Sequence, residues 1–270
     1  MSHFGPEWLH PLRAFVLAIG SLAASHPALS GSLRGKVRHT ADLSLRISSQ
    51  MLRPPARALL RSADSVKSWD WLWQPTYGRF WHDRFYRDRV DPYGCTVNQY
   101  DRHKYDRSLD LLDGRQFGSA LEIGCSEGVF SEMIAPRCAE LLAVDISDQA
   151  VERATARLSR LDHVSVARAT LPMDMPPGPY DLILCLDVLY YLPKDMLIRF
   201  LPRLKAALRP GGVLFTLHYL GDFGQAMRGR EVHDLLVAAL GLEVEHDQTV
   251  PDVGPKGAGY RVTCLVKPPG

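Results

Sequence analysis

Leu121-Glu122-Ile123-Gly124-Cys125-Ser126-Glu127-Gly128-Val129-Phe130 runs from a short apolar strand through a tight turn into a helical pattern. Gly124 and Gly128 let the backbone approach a ligand with no Cβ in the way. The helix that follows presents free N–H groups at its start. Downstream, Leu141-Leu142-Ala143-Val144-Asp145 is a second apolar run ending in a carboxylate. In strand–turn–helix folds, a carboxylate at the tip of the second strand is where a ribose diol is held.

The same alternation continues on both sides. Ala120–Ile123, Leu141–Val144, Val164–Ala167, Asp181–Leu186 and Val213–His218 read as strands. Gly128–Ala135, Asp148–Leu161, Asp195–Leu208 and Glu231–Leu240 read as helices, the third closed by Pro210-Gly211-Gly212. Leu242–His246 and Tyr260–Val266 are late strands. Doubly apolar strands alternating with helices imply a largely parallel sheet covered on both faces, an α/β doubly wound fold.

The glycine turn also fits G-x-S-x-G, the serine-hydrolase elbow, with Asp187 and then His218 or His233 in suitable order. That elbow belongs mid-sheet, and here the strand is the first of its domain. A nicotinamide dinucleotide fold needs G-x-G-x-x-G, and Gly128 follows Ser126 one residue too early. A third alternative is a nucleotide-binding module without catalysis.

Glu122-x-Gly124-x-x-x-Gly128, Ala143-Val144-Asp145, Asp181 through Asp187 and Pro210-Gly211-Gly212 together resemble class I S-adenosylmethionine-dependent methyltransferases, over roughly residues 92–267. The resemblance implies a seven-stranded Rossmann-like sheet with a late antiparallel hairpin. It implies cofactor contacts from Glu122, Gly124, Cys125, Ser126 and Gly128, with Asp145 and Ile146 at the ribose. A narrower stretch, Asp91-Pro92-Tyr93 and Gln99-Tyr100-Asp101-Arg102-His103-Lys104-Tyr105, is similar to the lead-in of nodulation protein S-type N-methyltransferases. So are Asp187-Val188-Leu189-Tyr190-Tyr191-Leu192 and residues 229–235. By this resemblance Tyr93, Tyr100 and Lys104 cap the cofactor, and the acceptor is an amine of a sugar-like small molecule, with O-methylation as the alternative. Two positions depart from the pattern. Ser126 replaces the middle glycine, and Ala169-Thr170-Leu171 stands where an acidic residue often meets adenine, leaving Thr170 and Leu171 to that role.

Methyl transfer is an in-line displacement, so the site must hold the nucleophile in line with the methyl. An ammonium has no lone pair, so an amine acceptor needs a general base or a desolvating pocket. Candidates lie where strands end. Asp187 follows the fourth strand, Tyr191 comes just after it, and His218 ends the fifth. These three are the catalytic candidates; a helix cap and a core histidine are the structural alternatives for Asp187 and His218.

Charge divides the 270-residue chain. Residues 1–90 carry 13 Lys and Arg against 6 Asp and Glu, whereas residues 91–270 carry 19 against 24. A mildly acidic main domain points to a small-molecule partner rather than nucleic acid. Cys95, Cys125, Cys138, Cys185 and Cys264 form no C-x-x-C pair, so no metal site is expected and reduced thiols suit the cytoplasm. No 18-residue apolar run offers a transmembrane helix. Residues 1–68 are expected to form a helical, basic extension, packed on the main domain or serving in homodimer contact or surface docking. The apolar run Ala14–Ala24 imitates a signal-peptide core, but its lead-in holds one Arg and Glu7. Residues 69–118 form an aromatic-rich lead-in and capping helix, and residues 119–270 the cofactor-binding domain. Four of the five Trp fall within 69–89, where aromatics interleaved with Arg read as a packing anchor, with stacking on nucleobases or sugar rings as the alternative.

Overall fold

The computed structural model describes residues 78–96, 98–251, 253 and 257–269, apart from the side chains of Arg79 and Phe80. The chain divides into two units, Met1–Gln74 and Pro75–Gly270. The expected extension over residues 1–68 lies outside the described residues.

Among the described residues two helices come first, α1 (Arg79–Arg87) and α2 (Gln99–Leu111). Then follow β1 (Phe117–Ile123), α3 (Val129–Ile134), β2 (Cys138–Asp145), α4 (Asp148–Leu158) and β3 (Val164–Arg168). The second half holds β4 (Tyr180–Leu186), α5 (Lys194–Ala207), β5 (Leu208–Tyr219), α6 (Gly229–Leu240), β6 (Glu243–Val250) and β7 (Tyr260–Val266). The sheet order is β3-β2-β1-β4-β5-β7-β6. β1 through β5 are parallel, and β7 runs antiparallel to both β5 and β6. The expected doubly wound sheet with a late hairpin is therefore present.

β4 explains the layering. Ile183 and Cys185 pack on one face with Phe200 and Leu204 of α5 and Val232 of α6. Leu182 and Leu184 pack on the other with Tyr105 of α2 and Phe130 and Ile134 of α3. Each of these four β4 side chains is fully buried. A strand covered on both faces loses the polar–apolar alternation of a half-buried strand, which is why Asp181–Leu186 reads as a continuous apolar run.

Several ends differ from the sequence expectation. α3 stops at Ile134, and Pro136 sits in a single 3-10 turn. α4 ends three residues early, at Leu158. Pro210-Gly211-Gly212 does not close α5; it lies inside β5, where Gly211 N–H donates to Lys267 O and Lys267 N–H to Gly212 O. α5 already ends at Ala207 because Leu208 is extended, and Pro210 disfavours helical geometry at Arg209. Lys267 Nζ caps the helix end, donating to Lys205 O at 3.0 Å and Leu208 O at 2.5 Å.

The strand order reverses between β1, which leads outward to β2, and β4, which leads outward to β5. Ligands bind outside the carboxyl ends of strands at such a switch point.

Candidate functional site

The carboxyl ends of β1, β2, β4 and β5 deliver the turn at Gly124, Asp145, Asp187 and His218. At β1, Gly124 and Cys125 N–H both donate to Val144 O, pinning the turn to β2. Gly124 and Gly128 both have φ of +77°, a region an L side chain rarely adopts. A Cβ at Gly124 would lie 2.7 Å from Val188 Cγ2 and 2.9 Å from its Cβ. Gly124→Ala is therefore expected to lose about 2–4 kcal/mol of stability by urea unfolding. Pairing it with Val188→Ala should recover the steric part but not the backbone part.

Ser126, the residue in place of the middle glycine, also has positive φ, +51°. Its N–H donates to Asp145 Oδ2 at 3.0 Å, and its Oγ accepts from the Tyr86 hydroxyl at 2.7 Å. Asp145 Oδ1 accepts from Ser147 N–H at 2.9 Å. Burial pushes the Asp145 carboxyl up to about 6, against the pull of its backbone donors. Glu122 is buried as well, accepts from Ser131 Oγ at 2.5 Å, and is pushed up to about 7 by burial.

At β4, Asp187 has φ of +54°. Its Oδ1 accepts from Tyr219 N–H at 2.7 Å, and its Oδ2 is bonded to Lys104 Nζ. Lys104 reaches Asp101 Oδ1 at 2.6 Å. Burial opposes both charges, yet Lys104 holds Asp187 below the usual carboxylate range, and the two carboxylates hold Lys104 protonated. The Tyr100 hydroxyl, beside this cluster, is buried with no hydrogen-bond partner among the described residues.

Aromatic rings complete the site. Tyr93 and Tyr191 hydroxyls lie 3.4 Å apart. Tyr191 meets His82 edge-on at 5.1 Å, and Tyr190 meets Phe223 at 5.2 Å. Tyr190 is core and Tyr191 half-buried.

His218 is placed differently from expectation. Its Nε2 accepts from Leu189 N–H at 3.1 Å, and its Nδ1 lies 3.1 Å from His233 Nε2. The ring is fully buried, and desolvation pushes it down to about 4. Both nitrogens are taken, so His218 has no free site for a substrate proton. The same bonds engage His218 with His233, and His233 with Thr263, so both histidines that the hydrolase reading offered to Ser126 are committed elsewhere. Thr170 and Leu171 follow β3; Thr170 N–H donates to Asp174 Oδ2 at 3.1 Å, and Leu171 packs on the core. Ile146 is half-buried beside Asp145, and Cys125 is buried beneath the turn.

Sequence reasoning missed α1 as part of the site. Arg153 binds it from α4, donating to Tyr86 O at 2.8 Å, Arg89 O at 2.9 Å and Glu127 Oε1 at 2.5 Å. The available signal was His82 and Tyr86, four apart on one helical face.

A family model described as nodulation protein S matches residues 83–215. Nodulation protein S of Bradyrhizobium diazoefficiens is 36% identical over 104 residues, covering 38% of this chain and 49% of that protein. The crystal structure of the N-methyltransferase NodS from Bradyrhizobium japonicum, in complex with S-adenosyl-L-homocysteine, superposes with a TM-score of 0.62. It is 25% identical, covering 68% of this chain and 95% of that one. This chain is similar to nodulation protein S over the matched stretch and has the class I methyltransferase fold. The chain spans about half the length of the curated relatives it matches. A ubiquinone biosynthesis O-methyltransferase of Idiomarina loihiensis is 33% identical over 109 residues, 38% of this chain and 43% of that protein. No helix among the described residues is long and apolar enough to cross a membrane.

Proposed function

We propose that this chain transfers a methyl group from S-adenosyl-L-methionine to the amine of a small, sugar-like acceptor. The observation that carries it is the clasp between Asp145 Oδ2 and Ser126 N–H across the tips of β2 and β1. It sits in a chain similar to a NodS crystallised with the demethylated cofactor.

The residues fit that cofactor. Gly124 has no room for a side chain against Val188, so the turn there stays bare backbone. Asp145 accepts backbone N–H groups from Ser126, Ser147 and Ile146, and a carboxylate has about four lone-pair sites, so acceptor capacity remains for a ribose hydroxyl. The unpartnered Tyr100 hydroxyl suits a polar ligand group. In this reading Glu122, Gly124, Cys125, Ser126 and Gly128 carry the amino-acid end, Asp145 and Ile146 the ribose, and Thr170 and Leu171 the adenine. Tyr93, Tyr100 and Lys104 cap the site.

The cofactor, when bound, supplies a methyl activated by its sulfonium. Asp187 remains a carboxylate, so it accepts an amine N–H and orients the lone pair rather than taking the proton. Lys104 stays protonated and His218 is internally bonded. Burial keeps the Tyr93 phenol neutral. The amine would therefore enter in its neutral form, its proton left to bulk water, because desolvation against the aromatic wall disfavours the ammonium. Residues 1–68 act as a separate docking or dimer-contact extension ahead of the lead-in over 69–118 and the domain over 119–270. The cytoplasm suits the five free thiols.

The test is S-adenosylhomocysteine calorimetry followed by a methyl-transfer assay. The acceptors are a de-N-acetylated chito-oligosaccharide, its N-acetylated form and a catechol. Transfer to the free amine alone is expected. Transfer to the catechol alone would favour O-methylation, the reading that the ubiquinone relatives favour. Micromolar binding absent from the wild type would sink both.

A further inference from the structure

Four polar side chains run in series from the acceptor side of the sheet to its outer edge. Leu189 N–H opens the 3-10 turn Leu189–Tyr191. A backbone N–H can only donate, so His218 Nε2, 3.1 Å away, must be the bare nitrogen. His218 then carries its proton on Nδ1 and gives it to His233 Nε2 at 3.1 Å. His233 in turn holds its proton on Nδ1, 2.6 Å from Thr263 Oγ1. The Thr263 hydroxyl donates to Asp247 Oδ1 at 3.2 Å. Asp247 is gripped by Arg261 through two nitrogens, each at 2.8 Å. One proton arrangement satisfies every group. An extra proton on either ring sets two donors against each other.

The relay bears on the turn in a second way. Tyr190 packs edge-on against the His218 ring at 5.1 Å, and Met227 N–H binds Tyr190 O at 3.0 Å. The charges facing the rings are Asp187 and Lys104 at His218, and Arg261 at His233. Burial keeps both rings neutral despite Asp187.

We propose that His218 and His233 form a proton-ordered positioning relay that fixes the Leu189–Tyr191 turn to the outer strands β7 and β6. That the turn's tyrosines face an acceptor rests on the methyl-transfer reading above; the relay itself does not.

The full chain labelled with ¹⁵N-histidine tests it by NMR. Both rings should be neutral and protonated on Nδ1 alone, with the Leu189 amide shift flat from about pH 8 to 5.5. His233→Leu should speed Leu189 amide exchange at least ~10-fold. Its S-adenosylhomocysteine affinity should stay within about 3-fold, because the glycine turn and Asp145 lie on other elements. His233→Gln, whose carbonyl can accept from His218, should restore most of the protection. An Nε2-protonated His218, titration of either ring near its ordinary value, or unchanged Leu189 exchange in folded His233→Leu would overturn the relay. If His233→Leu does not fold, the wild-type ring pattern and the exchange rate in Thr263→Val decide. Loss of cofactor binding in the wild type would sink the methyltransferase reading while leaving the ring pattern to judge the relay.

Discussion

Asp145→Ala is expected to weaken S-adenosylhomocysteine binding about 100-fold or more in calorimetry, with the fold intact by circular dichroism. Hydrogen bonds to a charged acceptor contribute about 1.5–3 kcal/mol each, and a ribose diol offers two. The variant also frees Ser126 N–H and Ser147 N–H, which Asp145 holds in the unbound chain. Asp145→Asn retains one acceptor oxygen and should lose roughly 10-fold. The pH dependence follows from burial, which pushes the carboxyl up to about 6. A diol is bound by the ionised form. Affinity should therefore rise with pH through about 6, level off above it, and be accompanied by proton release near that pH. Glu122, pushed up to about 7, titrates close by. Glu122→Gln should leave the limb near 6 in place, and Asp145→Asn should abolish it. A limb that survives in Asp145→Asn would assign the titration elsewhere and remove the ribose role.

The sheet and half of the site were legible in the sequence for physical reasons. A strand buried on both faces must be apolar throughout, so Asp181–Leu186 announces itself. The glycine turn is legible because its φ of +77° demands glycine at two fixed positions. Asp145 is legible because a carboxylate ending an apolar strand has no packing role. What was not legible depends on separation in the chain. Tyr86 reaches Ser126 across 40 residues, and Lys104 reaches Asp187 across 83. Neither pairing leaves a local periodicity. His218 was misread for the same reason. Its position at a strand end suits a base, but its partners Leu189 and His233 come from two other elements, and His233 is itself held by Thr263 from a third. Helix ends were missed where the next strand captured the chain, as β5 does at Leu208.

Lys104→Met is expected to lower stability by about 3–5 kcal/mol at pH 8, read from urea unfolding, because it strands two buried carboxylates. Lys104 is 4% exposed and Asp101 5%. The two acids respond differently to the shared ammonium. Burial leaves Asp101 raised, whereas Asp187, also opposed by burial, is lowered. Asp187 also accepts Tyr219 N–H at 2.7 Å, which adds to the pull of Lys104. In the wild type the contribution of Asp187 is therefore present above its unfolded pKa and is lost only in strong acid. Without Lys104 the sign reverses. The Asp187 carboxyl then rises above its unfolded value and Asp101, already raised, rises further; the folded state binds the extra protons, and stability recovers as pH falls toward 5. The deficit against wild type should shrink between pH 8 and pH 5. Adding Asp101→Asn and Asp187→Asn should recover part of it at pH 8 and flatten the pH dependence. A deficit of equal size at both pH values would assign the loss to the contacts of Lys104 with the Tyr100 and Tyr105 rings, whose centroids lie 5.0 and 5.5 Å from its Nζ. In that case the carboxylates would already be neutral in the wild type, and the role of Asp187 as an ionised anchor for the acceptor amine would fail with them.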